Sequence, residues 1–424
     1  MDKKRGIFTI IALLSLTLFS GCSKEEEQKE NTKELELENL LDQVDAKKLD
    51  ESVKLRDSFL LANANFSFDL FKKLAREENA VFSPLPVYNS LALIANGAED
   101  KAQNEIKKAL NLEDLDSNEV NEYYHALMKE FRSEKNGLDL NMSNSIWYDQ
   151  NFQANEYYLE TNKTYYKADS FKLYFSDPAA VDQMNDWVVD QTNGKVNEMV
   201  DEIDSDTLMY LFSIIYFDAD WKMPFKGSNS YEGEFHTESE TLELTKMTGT
   251  FELKNIETAD EKGVMFPYKG EKYSFFALLP DEKKDLRNYL AELEQEKIIE
   301  LSQKIKREEI ELHLPKFELS YEKVLNNPLK EMGVQEIFDL NSNSLGKMGE
   351  AKGNLFVNKI LQKNYLSVDE GGTEAASAVS SEIATTSLPI ESKVIDFNRP
   401  FLYGVINNET ALPIFLGVMD KPYQ

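Results

Sequence analysis

Residues 370–381 read Glu370-Gly371-Gly372-Thr373-Glu374-Ala375-Ala376-Ser377-Ala378-Val379-Ser380-Ser381. Two glycines are followed by small side chains, without a proline. Alternate residues from Thr373 to Ile383 are uncharged, whereas Glu374 and Glu382 fall on the opposite face of an extended chain. This alternation is typical of a half-buried strand, and such small side chains would let the segment enter an existing sheet without overpacking it. On composition alone, a flexible Ala/Ser linker is the alternative.

The flanking sequence favours the strand over the linker. Residues 356–369 are long enough to form a strand that leads directly into Glu370. Downstream, two further apolar runs follow at 396–406 and 413–418. A segment of small residues between strands is therefore better explained as part of a sheet protein than as a spacer between domains.

Five separated motifs carry a resemblance to a known family. They are Asn79-Ala80-Val81-Phe82-Ser83-Pro84-Leu85; Trp187-Val188 with Gln191-Thr192-Asn193-Gly194-Lys195; Ile215-Tyr216-Phe217 with Trp221; Leu314-Pro315-Lys316-Phe317; and Leu329-Lys330-Glu331-Met332-Gly333-Val334. From about Phe59 to Pro422, the chain resembles the serpins, a family of serine protease inhibitors. Together with the N-terminal residues considered below, it is identified as a bacterial lipoprotein member of that family.

The resemblance implies an α+β fold with three β-sheets, about eight to nine surrounding helices and an exposed reactive-centre loop at about 370–395. It also implies suicide-type inhibition, in which a protease cleaves the loop and the loop then inserts into the central sheet, trapping the acyl-enzyme. The hinge of that loop is carried over to Glu370, Gly371, Gly372, Thr373, Glu374, Ala375, Ala376, Ser377 and Ala378. Counting as in the family places the reactive bond between Thr386 and Ser387.

Four residues are carried over to the region where the central sheet would open: Ser83, Ser213, Trp221 and Gln362. Two of them depart from the family's pattern, because Gln362 stands where a histidine is common and Ser213 where an asparagine is common. A glutamine side chain both donates and accepts hydrogen bonds. A Gln362–Ser213 hydrogen bond can therefore form, and we expect this contact to be insensitive to pH.

The residues around the expected reactive bond indicate the class of target. Residues 383–388 contain no arginine, lysine or aromatic residue. Small and β-branched side chains fit shallow apolar pockets, so we expect elastase-like or subtilisin-like serine proteases to be the partners, bound as covalent acyl complexes. Cysteine proteases are a further class of candidate partner.

The composition of the 424-residue chain argues against several other functions. The net charge of −29 argues against nucleic acid as a partner. The three histidines lie outside any recognisable catalytic or metal-binding motif, and Gly-x-Ser-x-Gly, His-Glu-x-x-His and Walker-type loops are absent. We therefore predict an inhibitor rather than an enzyme, with no cofactor, no metal and no catalytic residue of its own, acting as a monomer.

The N-terminus predicts export and lipid anchoring. A positive start at Lys3-Lys4-Arg5 and an apolar run to Phe19 indicate a signal peptide over 1–21. Phe19-Ser20-Gly21-Cys22 resembles a lipobox, so Cys22, the only cysteine, is predicted to be lipidated. An ordinary secretory signal with an unrelated cysteine is the alternative. Residues 22–57 are predicted to be an acidic flexible tether and 58–424 the folded domain, with the protein extracytoplasmic and anchored to a bacterial membrane.

Two other functions remain alternatives from sequence alone. Within the serpin fold, the chain could be a non-inhibitory binding protein whose loop never inserts. Outside it, the chain could be a lipid-anchored solute-binding protein or adhesin. The second alternative predicts two lobes with a ligand pocket between them, and the strand-rich C-terminal half argues against it.

Overall fold

The computed structural model describes residues 37–76, 79–131, 138–204, 207–293, 306–351, 353–373 and 393–422. The predicted signal peptide and Cys22 lie outside the described residues. So do Glu374, Ala375, Ala376, Ser377 and Ala378 of the predicted hinge, and the predicted reactive bond between Thr386 and Ser387.

Eight α-helices lie within the described residues. They are α1 (Asp57–Leu74), α2 (Pro84–Gly97), α3 (Asp100–Ala109), α4 (Ser117–Phe131), α5 (Glu156–Thr161), α6 (Ala179–Gln191), α7 (Leu286–Glu292) and α8 (Asn326–Glu331). At the ends of α6, the Asp177 carboxylate accepts the N–H of Ala179, and Asn193 and Gly194, both with positive φ, follow the last turn. Among these helices, none combines the length and the apolar character that a membrane span requires.

Seventeen strands lie within the same residues. They are β1 (Val81–Phe82), β2 (Leu138–Asp149), β3 (Gln153–Ala154), β4 (Asp169–Leu173), β5 (Met209–Asp220), β6 (Tyr231–His236), β7 (Thr241–Glu257), β8 (Glu261–Pro267), β9 (Tyr273–Pro280), β10 (Lys306–Pro315), β11 (Phe317–Val324), β12 (Gly349–Glu350), β13 (Lys359–Val368), β14 (Gly372–Thr373), β15 (Lys393–Asp396), β16 (Phe401–Asn407) and β17 (Pro413–Met419). They form three sheets. The predicted α+β fold with three sheets and eight to nine helices is confirmed.

The six-stranded sheet is the centre of the molecule. Its strand order is β11-β13-β14-β5-β2-β4, and β13 also pairs directly with β5. Both faces of β5 are covered, because alternate residues contribute to two different apolar clusters: Leu211, Ile215 and Phe217 to the main core, Phe212 and Ile214 to a smaller one with Trp187 of α6. This explains the continuous apolar run of β5, since a strand covered on both faces needs no polar side.

The nine-stranded sheet packs on the opposite side of the main core. Its principal order is β1-β17-β16-β9-β8-β7-β10-β15, and β6 pairs with β7. From Ile310 to Leu314, β10 alternates between buried and partly exposed positions, in step with its alternation of apolar and polar residues. Helix α2 is buried along most of its length and contributes to the same core. The third sheet consists of β3 and β12.

Residues 37–56 correct the predicted tether. From Leu37 onward, the chain belongs to the same compact unit as the folded domain. Leu40 and Leu41 are buried, Asn39 pairs with Phe171 of β4, and the Lys163 ammonium donates to the carbonyl oxygen of Leu41 at 2.8 Å. The prediction of a solvated tether over 22–57 is therefore wrong for 37–56. The many charged residues of the segment favour a solvated chain, but its leucines are spaced closely enough to be buried together.

Candidate functional site

The first residues of the predicted hinge already lie in the central sheet. β14 pairs antiparallel with β5, with Gly372 opposite Asp220 and Thr373 opposite Ala219, and Thr373 also pairs with Val368 of β13. Glycine is required at position 372, because an added Cβ would lie 2.1 Å from the carbonyl oxygen of Ala219. The structure thus contains a strand of two residues at the entrance between β13 and β5.

Thr373 is fixed in the interior at this entrance. The residue is 0% exposed, and its hydroxyl is hydrogen-bonded to the hydroxyl of Tyr268, which is itself buried. Burial raises the pKa of Tyr268 well above its ordinary value, so its hydroxyl keeps its proton. Tyr268 stacks on the indole of Trp221, with ring centroids 4.6 Å apart. Sequence reasoning missed Tyr268, because no local signal connects it with a residue 105 positions away.

The turn that leads into β14 is held by several hydrogen bonds. The Asp369 carboxylate accepts the N–H groups of Gly371 and Gly372 at 2.8 and 3.2 Å. The indole N–H of Trp221 donates to the carbonyl oxygen of Asp369, and the Trp221 backbone N–H donates to that of Gly371. Trp221 was predicted to mark the region where the sheet opens, and it lies directly beside the hinge.

Glu370, the first residue of the predicted hinge, is held by an ion pair. Its carboxylate accepts from the Lys316 ammonium and from the Ser230 hydroxyl, both at 2.8 Å. Partial burial raises the pKa of Glu370, but the hydrogen bonds from Lys316 and Ser230 outweigh this effect, so the pKa lies below its ordinary value. Glu370 is therefore ionised at neutral pH and anchors the near end of the loop.

Beyond β14, the two central strands are in direct contact. β13 and β5 pair in parallel over six positions, from Lys359 opposite Tyr210 to Asn364 opposite Ile215. A strand that extended β14 further would have to separate these pairs. The sheet is thus open at Ala219 and closed over the six positions from Ile215 to Tyr210, with three positions of β5 between the two stretches.

Gln362 and Ser213 stand opposite each other in the middle of this closed stretch, but they are not hydrogen-bonded to each other. The Gln362 amide donates to the Ser83 carbonyl oxygen at 2.6 Å, and its oxygen accepts the Ser83 N–H at 3.3 Å. The Ser213 hydroxyl lies 2.8 Å from the Ser90 hydroxyl of α2. The predicted Gln362–Ser213 bond is therefore wrong, because both side chains point towards α2 and bond to groups there.

Three further polar residues complete this buried network. The Asn364 amide donates to the Val81 carbonyl oxygen at 3.1 Å and to the Gln362 side-chain oxygen at 3.0 Å. The Ser90 hydroxyl donates to Asn144 of β2 at 3.2 Å. The sequence carries a signal for Asn364, because it lies two residues after Gln362 and so on the same face of β13.

The geometry around the hinge suits the addition of a β-strand rather than catalysis. Within the described ranges, no group of three or more His, Cys, Asp or Glu side chains could hold a metal ion. His313, one of the three histidines, lies between the Tyr231 hydroxyl and the Glu311 carboxylate on the nine-stranded sheet. β13 and β5 carry the backbone N–H and C=O groups to which an added strand between them would bind.

The comparisons with known proteins agree with this geometry. A family model described as serpin (serine protease inhibitor) matches residues 61–422. The chain is 30% identical to human alpha-1-antichymotrypsin over 375 residues, which cover 86% of this chain and 88% of that protein. Among solved structures, the thermophilic serpin tengpin in its native state matches with a TM-score of 0.86 and 33% identity over 91% of this chain and 99% of that one. Tengpin in its latent state matches with a TM-score of 0.74 and 31% identity over 88% and 99%.

The separate anchoring of Gln362 and Ser213 can be tested with a double-mutant cycle. Gln362→Ala should lower the free energy of unfolding by about 1–3 kcal/mol, because it leaves buried backbone groups of Ser83 without a partner. Ser213→Ala should lower it by about 1 kcal/mol. Because the two side chains share no hydrogen-bonding partner, the coupling between the two substitutions should stay below about 1 kcal/mol in urea unfolding.

Ser367→Ala, on the opposite face of β13, is the matched control and should change the free energy of unfolding little. A coupling above about 1 kcal/mol between Gln362→Ala and Ser213→Ala would show that the two side chains do interact across the strands.

Proposed function

This chain belongs to the serpin family, and from that premise we propose that it is a suicide inhibitor of elastase-like or subtilisin-like serine proteases. The protease would cleave the loop, and the loop would then enter the central sheet while the protease is still attached as an acyl-enzyme. The observation that carries the proposal is the position of β14: Gly372 and Thr373 already occupy the gap between β13 and β5. The direct pairing of β13 with β5 and the better match to native than to latent tengpin also support the proposal.

The register of β14 defines how insertion would proceed. Thr373 stands opposite Ala219, and ten further positions separate Ala219 from Met209, where β5 begins. Ten more residues would therefore fill the gap and bring Ile383 opposite Met209. The predicted reactive bond, Thr386-Ser387, follows three residues later. A strand alongside the whole of β5 would span roughly 40 Å, and an attached protease would be carried about that distance.

The side chains of the hinge suit this register. Ala219, the partner of Thr373, faces the main core, as do Phe217 and Ile215 further along β5. In the same register, Ala375 would oppose Phe217 and Ser377 would oppose Ile215. Small residues at these positions would enter a core that is already filled, whereas large ones would overpack it. This is the physical reason why an Ala/Ser-rich sequence is suitable here.

The free energy that would drive insertion comes from backbone pairing between strands. Insertion would replace the single parallel ladder between β13 and β5 with two antiparallel ladders, one on each side of the new strand. Antiparallel pairing is slightly more stable per residue, and each new residue would gain backbone hydrogen bonds. The protein would thus supply free energy and the protease the chemistry. A displacement of about 1 Å in the protease's catalytic geometry would slow deacylation greatly.

Reaction with elastase tests the proposed function. The domain should form a complex that survives SDS, and the released peptide should begin at Ser387 or within a residue or two by mass spectrometry. Thr373→Arg should abolish the complex while the loop is still cleaved, because a charged side chain cannot replace a residue that is 0% exposed. Ser228→Arg, at an exposed position in the same region, is the control and should behave like the unaltered protein.

Three outcomes would contradict the proposal or part of it. Stoichiometric trapping by Thr373→Arg would mean that insertion of the hinge is not required. Cleavage of the unaltered protein without any complex would favour a non-inhibitory serpin-fold protein. Rapid inhibition of trypsin would place the reactive bond elsewhere, since residues 383–388 contain no basic side chain.

We further propose that the protein is extracytoplasmic and held to a bacterial membrane through a lipid on Cys22. The support is the sequence Phe19-Ser20-Gly21-Cys22 after a positive start and an apolar run. Cys22→Ser should move the protein from the membrane fraction to the soluble fraction without loss of inhibitory activity. Membrane association of the Cys22→Ser protein would contradict the anchor.

A further inference from the structure

The described chain begins at the end of the six-stranded sheet that lies farthest from the hinge. Asn39 pairs with Phe171 of β4, at the level of Tyr210 of β5. Thr373 of the hinge stands opposite Ala219, nine positions further along β5. Nine positions of a strand correspond to about 30 Å. We call the end of the sheet at which β5 begins the far pole.

The pairing of Asn39 also gives the direction of the chain at this point. β4 runs parallel to β2, and β2 runs towards the far pole, where Tyr148 stands opposite Met209. Asn39 pairs antiparallel with β4, so the chain there runs away from the far pole. Leu37 therefore lies nearer to that pole than Asn39 does.

Residues 37–47, which we call the arm, are fixed to the domain by specific contacts. The Asn39 amide donates to the Asp169 carboxylate at 2.8 Å, and its oxygen accepts the N–H of Ser170 at 3.1 Å. The Lys163 ammonium donates to two carbonyl oxygens of the arm, at 2.8 and 2.7 Å. Leu40 is buried in the main core. These contacts fix the point at which any chain that precedes residue 37 joins the domain.

Insertion of the loop would bring an attached protease to the same pole. In the register of β14, Ile383 would stand opposite Met209, and an acyl bond to Thr386 would follow three residues later, within about 10 Å. The inserted strand and the arm would be separated by β5, β2 and β4, so by about 20 Å. A compact domain of about 200 residues is about 40 Å across. The trapped protease would therefore lie over the place where the arm begins.

The length of chain between Cys22 and the arm sets a limit on distance. The fifteen residues 22–36 can span at most about 50 Å, whatever their conformation. A lipid on Cys22 would therefore hold the start of the arm within about 50 Å of the membrane surface. A protease about 40 Å across fits into this distance with little to spare.

We propose that residues 22–36 are a spacer, whose length leaves room between the far pole and the lipid surface for the trapped protease. This inference rests on the proposed function, that is, on inhibition by insertion and on the lipid at Cys22. A protein anchored more closely would still present its loop, which enters the sheet at the opposite end, and the loop would still be cleaved. The membrane would then obstruct the arriving protease, so that insertion slows and the acyl bond is hydrolysed first.

The test shortens the spacer on a defined lipid surface. Because Cys22 is the only cysteine, its thiol can join the mature chain to phosphatidylcholine vesicles that carry some maleimide-bearing lipid, without natural lipidation. The variant lacks residues 24–33, which reduces the maximum span to about 17 Å. The matched control replaces 24–33 with ten glycine and serine residues. After reaction with elastase, SDS gels give the ratio of cleaved, uncomplexed inhibitor to stable complex.

On vesicles, this ratio should be several-fold higher for the shortened protein than for the control, whereas the two should not differ in solution. Equal ratios on vesicles would overturn the proposal alone. A higher ratio for the shortened protein in solution would also overturn it, because the deletion would then act on the domain and not on the distance to the membrane. Absence of any complex in solution, even with the unaltered protein, would overturn the proposed inhibition and this proposal together. Fractionation of Cys22→Ser tests the natural anchor separately.

Discussion

The direct pairing of β13 with β5 is the constraint on which the rest of the molecule depends. The two strands lie parallel over six positions, and β14 lies between them four positions further along β5, at Ala219. Parting the remaining pairs would exchange one parallel ladder for two antiparallel ones, which pair slightly more stably per residue. The intact sheet thus lacks one strand that would increase its backbone pairing. The residues that would form this strand follow Thr373 in the chain.

Contacts at the described ends of the loop and beneath the six-stranded sheet hold the intact arrangement in place. Gln362 and Ser213 are each fastened to groups at or in α2 rather than to each other. Opening the sheet would therefore break a backbone ladder but no side-chain bond between these two residues. Glu370 is held by Lys316 and Asp396 by Lys246. Both described ends of the loop are therefore fastened by ion pairs.

Much of this fold could be predicted from the sequence, and the exceptions have physical reasons. The apolar run of β5, the alternation of β10 and the caps of α6 are local signals, and the residues confirm them. The division into three sheets could be predicted only from the resemblance to the serpins. The partner of Gln362 could not be predicted, because the choice between Ser213 and Ser83 depends on where α2 lies. The contact of Thr373 with Tyr268 depends on a distant part of the chain and leaves no local pattern. Leu40 and Leu41 do form a local apolar pattern, but their burial depends on the position of β4, far along the chain.

The central claim is that the loop completes the sheet, and the most direct measurement is thermal unfolding of the protein before and after a single cleavage in the loop. If the cleaved segment enters between β13 and β5, the cleaved protein should unfold at a markedly higher temperature than the intact one, because the new strand adds backbone pairing and buries its inner side chains. Unfolding at the same temperature before and after cleavage would contradict the claim, since it would mean that the freed segment gains no place in the sheet.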